Sequence, residues 1–331
     1  MTAIFAVSLG DPAGIGPEII AKSWDQRDTA RLPPFFAIGD PDALSAIWTG
    51  PIGLIEEPGE AARLFPDRLP VLRISEGSTI WPGRPDPEGA RSALHSLEMA
   101  VGLARSGSVQ GVITGPISKV LLQQVGFTHP GQTEFTAERC GVSRNNIAML
   151  LAGPSLKVVP ITGHIPLTQV ARTLSTELIV NRAHAAAKGM TRNFGIANPR
   201  IAIAGLNPHA GEDGTLGHEE QDIIAPAIEQ LLADGLDVSG PLAADSMFHD
   251  AARRKYDVAL CQYHDQALIP LKALHFECGV NMTLGLPIVR TSPDHGTAFN
   301  IAGQDIADPS SMIAAIQMAE TAWSHRQNYD G

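Results

Sequence analysis

Short apolar runs alternate along the chain with segments whose apolar residues recur at helical spacing. The runs at residues 4–9, 35–38, 111–114, 157–161, 201–206 and 258–263 are almost continuously apolar, which predicts strands buried on both faces. Between them, Ala90, Leu94, Leu97, Val101 and Ala104 keep one helical face apolar, and Ile223, Ile224, Ala227, Ile228, Leu231 and Leu232 do the same on a second segment. A last helix is predicted over residues 311–323. This alternation predicts an α/β protein with a largely buried, substantially parallel sheet. Residues 48–68, rich in Pro, Gly and acids, are expected to form a surface excursion. No fixed-period repeat or low-complexity tract interrupts the pattern.

Composition narrows the class. A length of 331 residues suggests two domains or lobes at about 150 residues each. With 44% hydrophobic and 18% charged residues, the chain can bury a sizeable core. The formal charge of −11 argues against a broad nucleic-acid footprint, so no nucleic-acid partner is expected. No apolar run approaches about 18 residues, so no membrane span is expected. The N-terminus lacks the basic region of a signal peptide, which points to the cytoplasm. Cys140, Cys261 and Cys278 are odd in number and form no CxxC, so neither a disulfide scaffold nor a thiolate zinc site is expected.

Three histidines share one placement. KVVPITGH ends in His164, RIAIAGLNPH in His209 and VALCQYH in His264, each just beyond an apolar run. Ligands in open α/β sheets sit beyond the carboxyl ends of strands, so the three imidazoles could converge there on a divalent cation with one position left open. Asp245 and Asp265 lie near the third run, as candidates to ligate that cation, to brace its ligands or to relay a proton. Each histidine taken singly serves equally well as a strand-end cap.

Two glycine-bearing loops stand near the chain ends. Gly10-Asp-Pro-Ala-Gly-Ile-Gly-Pro-Glu18 follows the first run and places Pro17 where a helix begins, but it is not GxGxxG. Asp294-His-Gly-Thr-Ala-Phe-Asn-Ile-Ala-Gly303 precedes the last helix, and its small residues would let a pyrophosphate approach the backbone. A tight turn and an ordinary surface loop are the alternatives. The loop from Gly211 to Gly217 fails the calcium-loop spacing. Lys272, Asn281 and Arg290 follow His264 closely and suit an anionic substrate.

The blocks SLGDPAGIGPE, GVITGPISK, PGQTEF, ITGHIPL, LNPHAGEDG, PLAADSMF, YHDQALIPLK and VRTSPDHGTAFNIAG resemble those of the PdxA family, the 4-hydroxythreonine-4-phosphate dehydrogenases of vitamin B6 biosynthesis. They run from residue 8 to residue 303. The two terminal glycine segments are also similar, more distantly, to those of isopropylmalate and isocitrate dehydrogenases. That similarity implies a two-lobed α/β fold with a largely parallel twisted sheet, which binds NAD without a GxGxxG fingerprint. On this resemblance a cofactor-side lobe is expected over residues 1–125 and 281–331, and a substrate, metal and dimerisation lobe over 126–280.

The resemblance makes His164, His209 and His264 ligands of one zinc, cobalt or magnesium ion. Gln132, Thr133, Lys272, Asn281 and Arg290 become substrate-binding positions. Asp294, His295, Gly296, Thr297 and Gly303 become the NAD or NADP loop. It also implies a homodimer with the site at the interface. The expected reaction is NAD-dependent oxidation of 4-phosphooxy-L-threonine, a small phosphorylated anion, to a β-keto acid that decarboxylates to 3-amino-2-oxopropyl phosphate. Lys272, Asp245 and Asp265 are the candidate catalytic groups.

The family usually has His where Gln132 stands. Gln hydrogen-bonds but carries no charge, so restoring His is expected to improve use of a phosphorylated substrate. The departure keeps open a sister dehydrogenase acting on phosphorylated threonate or erythronate, or on an aromatic cis-dihydrodiol. A three-histidine zinc hydrolase and a non-enzymatic metal- or nucleotide-binding protein are the rivals from other classes.

Overall fold

The apolar runs become central β-strands in the structure, a computed structural model that describes residues 3–74 and 80–329. In chain order the strands are β1 Phe5–Ser8, β2 Phe35–Gly39, β3 Ile52–Ile55, β4 Leu69–Arg73, β5 Gly111–Thr114, β6 Ala148–Gly153, β7 Leu156–Pro160, β8 Arg200–Ala204, β9 Asp237–Leu242, β10 Val258–Cys261, β11 Val280–Leu284 and β12 Arg290–Pro293. The chain divides into two compact units, residues 1–141 with 286–323, and residues 142–285 with 324–331.

In the first unit the strands run in the order β3-β4-β2-β1-β5-β12, all parallel. β1, β2 and β5 are buried along their whole length, as near-continuous apolar runs require. The helix Pro87–Arg105 starts where Asp86 Oδ1 accepts a hydrogen bond from Gly89 N at 2.7 Å. It turns Ala90, Ala93, Leu97, Ala100, Val101 and Ala104 inward, the face that the sequence pattern marks. Leu97 is fully buried, and truncating it to Ala would cost about 2–5 kcal/mol. The helix Gly16–Asp25 opens with Pro17 in its first turn, as predicted.

In the second unit the order is β11-β6-β7-β10-β8-β9. β7, β10, β8 and β9 are parallel, while β6 runs antiparallel to both β7 and β11. Helix His264–His275 covers this sheet with Ala267 and Leu271, which pack on Val158, Ala202, Ala259 and Cys261. That packing fixes the helix start, and hence His264, against the strand ends.

Several elements differ from the sequence expectation. Residues 48–68 are not only a surface excursion, because β3 lies inside them and pairs in parallel with β4. Its alternating burial makes it an edge strand whose apolar signal is diluted. β12 was hidden for the opposite reason. Arg290, Thr291 and Ser292 are polar yet buried, and bonding makes this tolerable, Arg290 Nη2 donating to Thr114 Oγ1 and Thr291 Oγ1 donating to Ala315 O, at 2.7 and 2.8 Å. The last helix runs Ser310–Tyr329, beyond the predicted end at residue 323. Among the described residues, no helix is long and apolar enough to cross a membrane.

Candidate active site

In the second unit, β7, β10 and β8 are neighbours and parallel, so their carboxyl ends lie side by side. His164 stands four residues beyond Pro160, His264 three beyond Cys261 and His209 five beyond Ala204. Buried side chains stitch these ends together. Thr162 Oγ1 donates to Gln262 O at 2.7 Å, and Gln262 Nε2 donates to Ala204 O at 2.6 Å. Gln266 accepts from Gln262 N at 2.7 Å and donates to Gly205 O at 2.8 Å. Two glutamines thus tie the ends of β10 and β8, one two residues before His264 and the other two after it, and Thr162 adds the end of β7.

The rings of His164 and His264 lie 5.0 Å apart, centroid to centroid. They border a cavity of about 200 Å³ that Ile165, Val170, Tyr263 and Asp265 also line. His264 Nδ1–H donates to Asp265 Oδ1 at 2.7 Å, a tautomer that leaves the Nε2 lone pair for a cation. The pair therefore fits the chemistry of an imidazole-bound divalent metal. Among the described residues, no group of three or more His, Cys, Asp or Glu side chains is gathered tightly enough to hold one. The structure brings His164 and His264 into contact and places His209 on the neighbouring strand end.

His209 begins an unusual turn. From His209 to Gly214, six consecutive residues have φ between +44° and +92°, so the chain makes a short left-handed helix. For L-residues this conformation costs roughly 1–2 kcal/mol each. His209, Ala210, Glu212 and Asp213 all bear that cost, which persists only where surrounding contacts over-determine the backbone.

Other expected residues of this unit are spread along its elements. Asp265 and Lys272 share one face of helix His264–His275, two turns apart, and Lys272 Nζ lies 5.6 Å from the Phe276 ring centre. Asn281 sits on β11 opposite Leu151, and its Oδ1 is buried without a hydrogen-bond partner. Asp245 is exposed in the turn after β9.

The first unit gathers a second cluster. Arg290, on β12, is 3% exposed, and burial pushes its pKa down to about 10, with Glu134 acting in the opposite sense. Its Nη2 donates to Thr114 Oγ1 at 2.7 Å and to Gln132 Oε1 at 3.0 Å, and its Nη1 reaches Thr133 Oγ1 at 3.4 Å. Gln132 and Thr133 open the helix Gln132–Arg139, so three of the expected substrate positions meet around one guanidinium.

The two glycine loops also meet in this unit. Ile15 N donates to Thr297 O at 3.0 Å, and a Cβ on Gly14 would lie 2.9 Å from that same oxygen. Gly14 is therefore required by close approach. Glu18 fastens the far end of the second loop, its Oε1 accepting from Ala307 N at 2.8 Å. His295, Gly296 and Gly303 are exposed and Asp294 and Thr297 half-buried along this loop. Asp11, 2% exposed, has a carboxyl raised to about 6 by burial, with Asp86 adding to the rise and the Ala13 N–H opposing it.

Sequence reasoning missed Thr162, Gln262, Gln266, Asn207, Glu220 and Thr114. A usable signal was present for the glutamines. They flank His264 in CQYHDQ, amide side chains beside an otherwise apolar strand.

Comparison with known proteins identifies the family. The family model described as pyridoxal phosphate biosynthetic protein PdxA matches residues 32–319. A 4-hydroxythreonine-4-phosphate dehydrogenase of Zymomonas mobilis is 52% identical over 98% of this chain and 97% of its own. A crystal structure of the enzyme of that name from Klebsiella pneumoniae superposes with a TM-score of 0.87 at 37% identity, covering 98% of this chain and all of its own. A terephthalate 1,2-cis-dihydrodiol dehydrogenase from Burkholderia xenovorans is more remote, with a TM-score of 0.64 at 28% identity over 97% of this chain and 98% of its own. With the model matched over most of its length and half its residues shared with a curated dehydrogenase, the chain belongs to the PdxA family.

Proposed function

We propose that this chain is a 4-hydroxythreonine-4-phosphate dehydrogenase, using NAD or NADP and a divalent metal to oxidise and decarboxylate 4-phosphooxy-L-threonine. The family and the named relatives support the dehydrogenase activity. The observation that carries the metal-assisted reading is the emergence of His164, His209 and His264 from three adjacent parallel strand ends, two of the rings in contact.

The reaction removes a hydride from C3 and a proton from its hydroxyl, then carbon dioxide from the resulting β-keto acid. His164, His209 and His264 would hold a zinc, cobalt or magnesium ion, which would supply Lewis acidity toward the substrate oxygen. Asp265 holds His264 in the tautomer that can ligate. Lys272 is assigned to an anionic end of the substrate and, as a cation, to the return of a proton to carbon. Asn281 offers its unpaired Oδ1 as an acceptor for a substrate N–H or O–H. In the first unit, Arg290 supplies a buried charge for an anionic group, held by Thr114, Gln132 and Thr133. Asp294, His295, Gly296, Thr297 and Gly303 are assigned to the dinucleotide, on the loop that Ile15 and Glu18 anchor. Asp245 is retained as a proton-relay candidate. As the family resemblance implies, the working form is a homodimer whose partner copy completes the ligand set.

The test is NAD reduction by the purified protein, with and without chelator, on a substrate panel. 4-phosphooxy-L-threonine should be the preferred substrate, with activity lost to chelator and regained with metal. Preference for phosphorylated threonate or erythronate, or for an aromatic cis-dihydrodiol, would replace this reading by the sister enzyme. Hydrolysis of an ester or amide without NAD would replace it by a hydrolase.

A further inference from the structure

We propose that Glu220, acting through Asn207, is a positioning residue that holds the left-handed turn presenting His209. The proposal rests on the reading of His209 as a metal ligand. Glu220 is 4% exposed, and among the described residues its carboxylate accepts from the segment leading to that histidine. Its Oε1 accepts from Leu206 N at 2.8 Å and from Asn207 N at 2.7 Å. Its Oε2 accepts from Asn207 Nδ2 at 2.9 Å, and the same amide donates to Glu219 Oε2 at 2.8 Å.

These bonds act at the point where the chain leaves β8. With the amides of Leu206 and Asn207 committed to Glu220, the segment is turned away from the strand and into the left-handed helix. Asn207 O then accepts from Ala210 N at 3.1 Å, closing the turn around His209. The fit on the other side is equally close. A Cβ on Gly211 would lie 2.6 Å from Glu220 Oε2, so glycine there serves the carboxylate as well as the φ of +82°. Glu220 itself opens a single π-helical turn, Glu220–Ile224, continuous with helix Ala225–Ala233. π-helical turns are rare and recur at functional sites. The helix, packed through Ile224, Ala227, Ile228 and Leu231, is the fixed support, the carboxylate is the link, and the orientation of His209 is what the link sets.

Equilibrium cobalt(II) binding to the full-length protein tests this, read by the visible spectrum of the ion and by calorimetry. NAD affinity and the far-UV spectrum serve as controls. His209→Ala should weaken cobalt binding. Glu220→Ala should weaken it about tenfold to a hundredfold, the range for residues that orient metal ligands, with NAD affinity unchanged. Glu220→Gln keeps an oxygen for Leu206 and Asn207 but faces the Asn207 amide with a second donor, so its loss should be intermediate. A folded Glu220→Ala protein that binds cobalt like the parent overturns the proposal. If that variant does not fold, parent-like binding by Glu220→Gln overturns it instead. If His209→Ala also binds cobalt like the parent, His209 is no ligand, and the underlying reading fails together with the proposal.

Discussion

Gln132 Oε1 accepts a hydrogen bond from Arg290 Nη2 at 3.0 Å, while its Nε2 donates to Gly115 O at 3.1 Å. Both ends of the carboxamide are thus engaged in holding a buried cation. This reverses what the sequence suggested for Gln132→His. A protonated imidazole offers two donors and no acceptor, and sets a second positive charge against the guanidinium. Losing a bond to a charged group costs about 1.5–3 kcal/mol. Gln132→His should therefore lower kcat/KM and the melting temperature. The loss should deepen below about pH 6.5, because the folded state disfavours the protonation that the unfolded chain accepts. Thermal melts and steady-state rates across that pH range check it, and improved activity at low pH would refute it.

Asp11 should make the first unit less stable as pH rises through about 6. Burial raises its carboxyl from 3.8 to about 6, so the folded state binds the proton more tightly than the unfolded chain. Its stabilising contribution is complete below about 3.8 and is lost between there and about 6. At 1.36 kcal/mol per unit, the ionised form carries a penalty on the order of 3 kcal/mol. Asp11→Asn keeps the acceptor for Ala13 N and removes the charge. It should melt above the parent at pH 8, with the gap narrowing as pH falls from about 6 toward about 3.8.

Gly14 and Gly296 should separate packing from cofactor binding. Gly14→Ala meets Thr297 O at 2.9 Å and should destabilise the fold. A Cβ at Gly296 meets nothing within 4 Å, so Gly296→Leu should melt like the parent. If the dinucleotide lies on this loop, Gly296→Leu should weaken NAD binding at least tenfold by calorimetric titration. Unchanged affinity would move the cofactor elsewhere.

Lys272→Ala should raise KM or lower kcat for phosphorylated substrate by an order of magnitude or more, since bonds to charged groups contribute about 1.5–3 kcal/mol. NAD affinity should stay at the parent value. An unchanged kcat/KM would remove Lys272 from the substrate site.

Much of the framework was legible because it is local. Buried parallel strands need continuous apolar runs, and amphipathic helices need a repeating apolar face, so β1, β2, β5, β7, β8 and β10 and the helix Pro87–Arg105 are visible in their own residues. The shared placement of His164, His209 and His264 after such runs was equally visible. So were the blocks that link the chain to its family.

What the sequence could not carry is decided by groups far apart along it. β12 is polar and becomes a buried strand only because its side chains find partners elsewhere, Arg290 at Thr114 and Gln132 and Thr291 at Ala315. The role of Gln132 turns on a residue 158 positions away. Gln262 reaches Ala204 across 58 positions to join two histidine-bearing strand ends. A hydropathy pattern records whether a side chain prefers to leave water, by its own transfer energy. Whether a buried amide, carboxylate or guanidinium is tolerated depends on donors and acceptors meeting it within about 3 Å, and only the folded chain brings them there.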